Sequence, residues 1–397
     1  MTKTIATQGL DFGARNAAQA LRIVLLLVIV ATPSARAQTY TLLYSFTGGA
    51  DGGNPYASLV GDTKGSFYGT SQGGILGYGV VFKLDTNDKE TPLHSFRGLD
   101  GLLPYAGLVR DGNGNLYGTT EEGGSGGFGV VFELSKSGAE TVLHNFKRNK
   151  TDGAVPYAGL IRDKAGNLYG ATTVGGAFDR GVVFKLNKLG KETVLHSFKG
   201  TPDGEYPEAG LVRDACGNLY GTTTGDGTSN YGTVFKVTPK GNETVLYRFS
   251  GGADGKSPYG GLVLDAAGTL FGTTAGGGLA GCDGNGTCGT VFKIDATGKH
   301  TVLYSFTGGA DGGTPVAGLI RDAAGNLYGT TAAGGDFGYG TIFKIGIDGG
   351  ETVLHSFSWS DGANPFAGLI RDKVGNLYGT TYYGGASGKG TVFKLQP

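Results

Sequence analysis

The chain of 397 residues has one Met, one Trp, three Cys and 12 Pro, and only 17 % of its residues are charged. Its 33 basic residues balance 33 acidic ones, so it has neither the basic surplus of a nucleic-acid binder nor the charge excess of a disordered chain. The longest apolar run, Ile23 to Ala31, has nine residues, well short of the roughly 20 needed to span a membrane. No nucleophile elbow, HExxH or phosphate-binding loop is present, so the commonest hydrolase, zinc-protease and nucleotide-binding motifs give no lead. What is abundant is glycine, with 79 copies. The glycines follow no Gly-X-Y period, which excludes collagen. With 20 Tyr and 21 Phe available for a core, the composition points to short strands joined by tight turns.

Lys3, Arg15 and Arg22 precede the apolar run, and Pro33 and Ala35-Arg36-Ala37 follow it. This is the order of a secretory signal peptide, predicted over 1–37, with a mature domain over 38–397. Gln38, not a cysteine, stands directly after the proposed cut at Ala37, so no lipid anchor is expected. Export suits an oxidising compartment. Cys282 and Cys288 lie six apart and are expected to form a disulfide worth about 2 kcal/mol. They offer only two thiolates with no histidine nearby, so no metal is assigned. Cys216 sits alone and is expected to be free.

One unit recurs seven times, marked by Tyr68, Tyr117, Tyr169, Tyr220, Phe271, Tyr328 and Tyr378, at spacings of 49, 52, 51, 51, 57 and 50 residues. Each unit holds four runs rich in β-branched and aromatic residues: A (AGLIRD), B (NLYGTT), C (GTVFKL) and D (TVLHSF). Four strands at a period near 50 predict an all-β, seven-bladed β-propeller with four antiparallel strands per blade. The mature chain opens on a lone D run, Thr41 to Phe46, and finishes on a C run, Thr391 to Leu395. The N-terminal strand should therefore complete the last blade and close the ring. A solenoid would need polar capping repeats, and neither end has one.

Comparing the repeats with one another separates frame from site. An Asp ends run A in all seven copies, with Gly three residues later, which is hairpin chemistry. Asp-Gly-x-x-Pro recurs in every D–A loop. It reads as a turn fixed by proline, or as a ring of carboxylates around one mouth of the channel, attractive to a hard cation. No loop shows a dense acidic ligand run, so the turn is preferred. His94, His144, His196 and His355 exchange with Tyr44, Tyr247 and Tyr304 at one D position, which suits a half-buried aromatic with a polar tip. Phenylalanines in C and D are assigned to the interfaces between blades. Arg110, Arg162, Arg213, Arg321 and Arg371 each adjoin a turn Asp, and local pairing is expected.

Length varies only in the B–C and D–A loops, which share one face of the disc; recognition is therefore assigned there. Trp359, Tyr382 and Tyr383 of the last blade, Glu121 and Glu122, and Asp336 are the candidate ligand contacts, since aromatic planes beside carboxylates suit sugar rings. At GNLYGTT, GTVFKL and ETVLHSF the chain closely resembles the GloVer tandem-repeat family of secreted bacterial proteins. The resemblance implies an exported repeat protein and brings no catalytic residues with it. Such proteins often carry a C-terminal anchoring segment. This chain stops at Leu395-Gln396-Pro397, so a free secreted or periplasmic form, possible at the cell surface, is expected.

The reading is a non-enzymatic, monomeric binding module for a glycan or a cell-surface protein, with no cofactor, no nucleic-acid partner and no membrane span after signal removal. Two alternatives stay open: a polysaccharide lyase or hydrolase using loop carboxylates, and a purely structural envelope protein.

Overall fold

The structure is a computed structural model that describes residues 38–397 except 227–229 and 280–287. The expected signal peptide and Cys282, and with it the Cys282–Cys288 bridge, lie outside the described residues. Cys288 is buried, and Cys216 is exposed and free as expected.

Seven four-stranded antiparallel sheets follow one another in the order A-B-C-D. In the third blade the strands are Ile161–Arg162, Leu168–Thr172, Val182–Leu186 and Glu192–Ser197. The last blade has Ile370–Arg371, Leu377–Thr381 and Thr391–Gln396, and Thr39–Ser45 supplies its D strand. That pairing runs from Thr39 opposite Gln396 to Ser45 opposite Thr391. The two ends of the domain are thus held in one sheet, which closes the ring without a free edge there.

Strand A is shorter than its sequence run, with two paired residues per blade. At the axis the small segments before it crowd against the same segments of neighbouring blades. A Cβ on Gly260 would sit 2.5 Å from the carbonyl oxygen of Ala317, and one on Gly318 would sit 3.0 Å from that of Gly261. Only residues with little or no side chain fit so close an approach. Strand-B threonines join adjacent blades at the same level: the Thr70 hydroxyl donates to the Ala106 carbonyl at 3.0 Å and that of Thr273 to Ala317 at 2.9 Å.

Between blades the core is aromatic. The strand-B glycine of each blade lies under the strand-C phenylalanine; a Cβ at Gly170 would be 2.7 Å from Phe184 Cζ, and the other six copies give 2.6–2.7 Å. On that phenylalanine rests the phenylalanine that closes strand D of the preceding blade. Phe146 meets Phe184 at 5.4 Å between centroids and 70° between planes. Phe46 meets Phe82 across the ring closure at 5.1 Å and 72°. All fourteen rings are buried, and the edge-to-face geometry is the favoured one for such pairs.

The arginines that end strand A depart from the expected local pairing. Arg162 lies 5.5 Å from the Tyr117 ring centroid and Arg213 5.6 Å from that of Tyr169, in each case the ring of the preceding blade. A two-residue strand A directs the long side chain sideways, over the neighbour, and a cation–π contact results.

Phe184→Ala should destabilise the protein by about 3–5 kcal/mol, and Gly170→Val should also lower the melting temperature because the Phe184 ring cannot recede. Thermal unfolding followed by circular dichroism checks both, and an unchanged melting temperature would contradict this account of the interface.

Candidate functional site

The D–A loop aspartates do not ring the channel mouth. Each accepts a hydrogen bond from the exchanging His/Tyr position of the outermost strand. Asp100 meets His94 at 3.0 Å, Asp203 meets His196 at 2.9 Å, Asp51 meets the Tyr44 hydroxyl at 3.0 Å and Asp254 that of Tyr247 at 3.0 Å. A hydroxyl and an imidazole reach the same carboxylate, which is why they interchange. The first residue of the next blade's strand D completes the group. In three sets, such as His144, Asp152 and Glu192, the potential ligand atoms lie within 4.8 Å of one another. Because the same lattice forms with Tyr in place of His, its role is to lock blade to blade.

The site that the repeat builds on the axis is aromatic. After each loop proline comes one variable residue: Tyr56, Tyr105, Tyr157, Glu208, Tyr259, Val316 and Phe366. With the Ala-Gly segments behind them, these seven line a cavity of about 130 Å³ at the axis, on the face of the B–C and D–A loops. The residue before each proline holds a left-handed backbone, from Asn54 at φ 56° and Leu103 at 58° to Asn364 at 52°, and includes β-branched Val155 at 59° and Thr314 at 55°. Such a conformation is strained for β-branched residues. It persists because the loop is bonded on both sides. The Val155 N–H donates to Phe128 of the preceding blade, and the Val155 carbonyl accepts from Thr173. This turn delivers the next-but-one side chain to the mouth.

Tyr56 is the hub. Its ring lies 5.3 Å from Tyr105, 5.7 Å from Tyr157, 5.2 Å from Phe366 and 6.0 Å from Tyr382. Tyr382 continues to Tyr383 at 4.6 Å, and Tyr383 stacks on Trp359 at 6.3 Å and 16°. The aromatic strip therefore runs from the axis to the rim of the last blade, where Trp359 is 42 % and Tyr383 41 % exposed. The Tyr382 hydroxyl donates to Gln72 Oε1 at 2.8 Å, fixing its ring across the junction of the last and first blades.

The sequence-derived candidates divide accordingly. Trp359, Tyr382 and Tyr383 come together. Glu121 is half-buried in the second blade's B–C loop and acts electrostatically on Tyr105 and Tyr56, at the axial end of the strip. Glu122 is exposed, and its backbone pairs with Leu102. Asp336 lies elsewhere, exposed in the sixth blade's B–C loop, where it lines a groove with Asp311, Phe337 and His355. The inner residues Tyr56, Tyr105, Tyr157, Glu208, Tyr259 and Phe366 escaped sequence reasoning. Their signal was one column that varies between an invariant proline and a nearly invariant small residue.

Burial raises the pKa of Glu208, and Glu121 raises it further, against a hydrogen bond of 3.3 Å from the Thr224 hydroxyl. Burial and then Glu122 likewise raise Glu121. Tyr105 is pushed up to about 12 by burial and by Glu121. A larger cavity of about 840 Å³ opens at the opposite mouth, lined by Arg162, Asp163, Arg213 and Asp214 among others. Those residue types recur at the strand-A ends as scaffold, so the size of that cavity does not make it the site.

The family described as the Gloeobacter/Verrucomicrobia repeat matches residues 29–166, 141–323 and 280–397. No curated protein matches. Among solved structures, the extracellular domain of a one-component system from B. thetaiotaomicron is similar at 12 % identity and a TM-score of 0.56. The match covers 86 % of this chain and 38 % of that one, so this chain spans well under half of it. A gluconolactonase of Xanthomonas campestris is 13 % identical, with a TM-score of 0.42, 71 % of this chain and 82 % of that one covered. At 12 % identity the likeness to the B. thetaiotaomicron domain is one of fold.

The interblade carboxyls generate a pH dependence. Glu90, Glu140, Glu192, Glu243 and Glu351 are each raised to about 7, first by burial and then by Asp51, Asp100, Asp152, Asp203 and Asp311 respectively. Basic groups partly offset this at Glu192, from His144, and at Glu243, from Lys199 and Arg248. The folded value lies above the ordinary 4.5, so this contribution is full below pH 4.5 and is lost as pH rises towards 7. The melting temperature should fall between about pH 5 and 7.5, and Glu192→Gln should shallow that slope. A melting temperature that rises over the interval would contradict the assignment.

Proposed function

Starting from the fact that the chain belongs to the Gloeobacter/Verrucomicrobia repeat family, we propose that it is an exported, non-enzymatic binding module that takes a glycan across the B–C/D–A face. The observation that carries this reading is the continuous aromatic strip from Tyr56 to Trp359. Sugar rings present C–H faces that pack on aromatic planes, and their hydroxyls hydrogen-bond to carboxylates such as Glu121. A strip of several rings suits a chain of sugars better than a single small molecule. Export is supported by the sequence order at the N-terminus and agrees with the extracellular origin of the similar B. thetaiotaomicron domain. No helix among the described residues is long and apolar enough to cross a membrane.

The half-buried pair Glu121 and Glu208 supports a second reading, a polysaccharide hydrolase with these two as acid and base, since raised carboxyl groups suit proton transfer. The two readings separate on product formation: binding without release of shorter chains supports the module.

A glycan array with the purified protein, followed by calorimetry on the best ligand, tests the proposal. Trp359→Ala and Tyr382→Ala should each weaken binding by about fivefold to tenfold, the loss of one stacking platform. Unchanged affinity in both variants would remove the strip from the site.

A further inference from the structure

The acids on the recognition face are not alike. Glu205 is buried and paired with Arg180, buried Asp226 is paired with Arg248 at 3.3 Å, and Asp179 with Arg148 at 3.0 Å. Glu121 and Glu208, both half-buried, form no ion pair among the described residues. The axial cavity is lined by residues from all seven blades, and none of those lining residues is Lys, Arg or His. Glu208 lines that cavity with Tyr56, Tyr105, Tyr157 and Tyr259 and acts electrostatically on Tyr56, Tyr157 and Tyr259, while Glu121, in the second blade's B–C loop, acts on Tyr56 and Tyr105.

A mouth of aromatic rings that holds the acid Glu208 and no base, with Glu121 acting on the same tyrosines, is complementary to a cation. The rings attract a positive charge through their quadrupoles, and a carboxylate adds a charge-assisted hydrogen bond. A neutral sugar would leave Glu208 in partial burial without a counter-charge, whereas an ammonium group supplies one. We infer that the axial mouth selects an amino sugar with a free ammonium group, a de-N-acetylated unit of the bound glycan, which Glu208 and Glu121 pair with while the tyrosine rings enclose it. The inference rests on the glycan reading above and adds the charge of the sugar at the axis. It also gives the variable column a division of labour: aromatic residues in five blades form the wall, Glu208 in the fourth supplies the charge, and short Val316 in the sixth leaves room.

The test is calorimetric titration of the full protein with a glucosamine tetramer and with the N-acetylglucosamine tetramer, at one pH and two salt concentrations. The wild type should bind the cationic tetramer about tenfold more tightly, the worth of one charge-assisted hydrogen bond. Glu208→Gln, which keeps size and shape, should remove that preference while leaving the melting temperature unchanged. Glu122→Gln, at an exposed position beside the site, should leave the preference intact. Equal affinity for the two tetramers, a preference for the neutral one, or a preference that survives Glu208→Gln would overturn the inference and leave the glycan reading standing. Binding of neither these nor any arrayed glycan would instead sink the glycan reading itself.

Discussion

Everything in this molecule depends on one contact repeated around a circle: a strand-D phenylalanine set edge-on against a strand-C phenylalanine of the next blade, which itself lies on a bare strand-B glycine. The glycine is required because the ring occupies the space a Cβ would take. The pair is buried in every interface, including the one made by the two chain ends. The contact repeats at 5.0–5.4 Å between centroids in all seven interfaces, so each blade meets the next in the same way around the ring. A change in any one would be felt at the closure between Thr39–Ser45 and Thr391–Gln396.

That regularity frees other positions to vary. With the interfaces fixed by phenylalanine, glycine and the Asp–His/Tyr lock, the side chain after each loop proline carries no structural duty. It can be Tyr, Glu, Val or Phe without loss of the blade. The left-handed residue before the proline is the device that brings these seven variable side chains to one place. Its conformation is unfavourable for Val155 and Thr314, and hydrogen bonds to two neighbouring segments hold it there. Local strain at a repeated position, opening on a variable one, is the arrangement expected where a rigid frame displays a recognition surface.

Much of this was legible in the sequence. The period, the four runs, the strand supplied by the N-terminus and the phenylalanine interfaces all follow from comparing the chain with itself, because each is repeated and so stands out. What escaped was relational. The D–A aspartate and the strand-D His or Tyr were read as separate features, although they are two ends of one hydrogen bond spanning six to eight residues. The arginines were paired with the turn beside them, whereas they lie over the aromatic ring of the preceding blade. Tyr56 and its equivalents lie between the loop proline and run A, and nothing in one repeat shows that seven such positions converge. Asp336 shared a loop type with Glu121, but the ring places the two loops on different blades, the sixth and the second.

The central claim is that the ligand lies on the axial mouth and the aromatic strip leading from it. A crystal structure of the protein soaked with an amino-sugar oligomer tests it directly. The account predicts sugar rings stacked along Tyr56, Tyr382, Tyr383 and Trp359, with an ammonium group beside Glu208. An oligomer seated instead in the larger cavity of the opposite mouth, against Arg162 and Arg213, would contradict it.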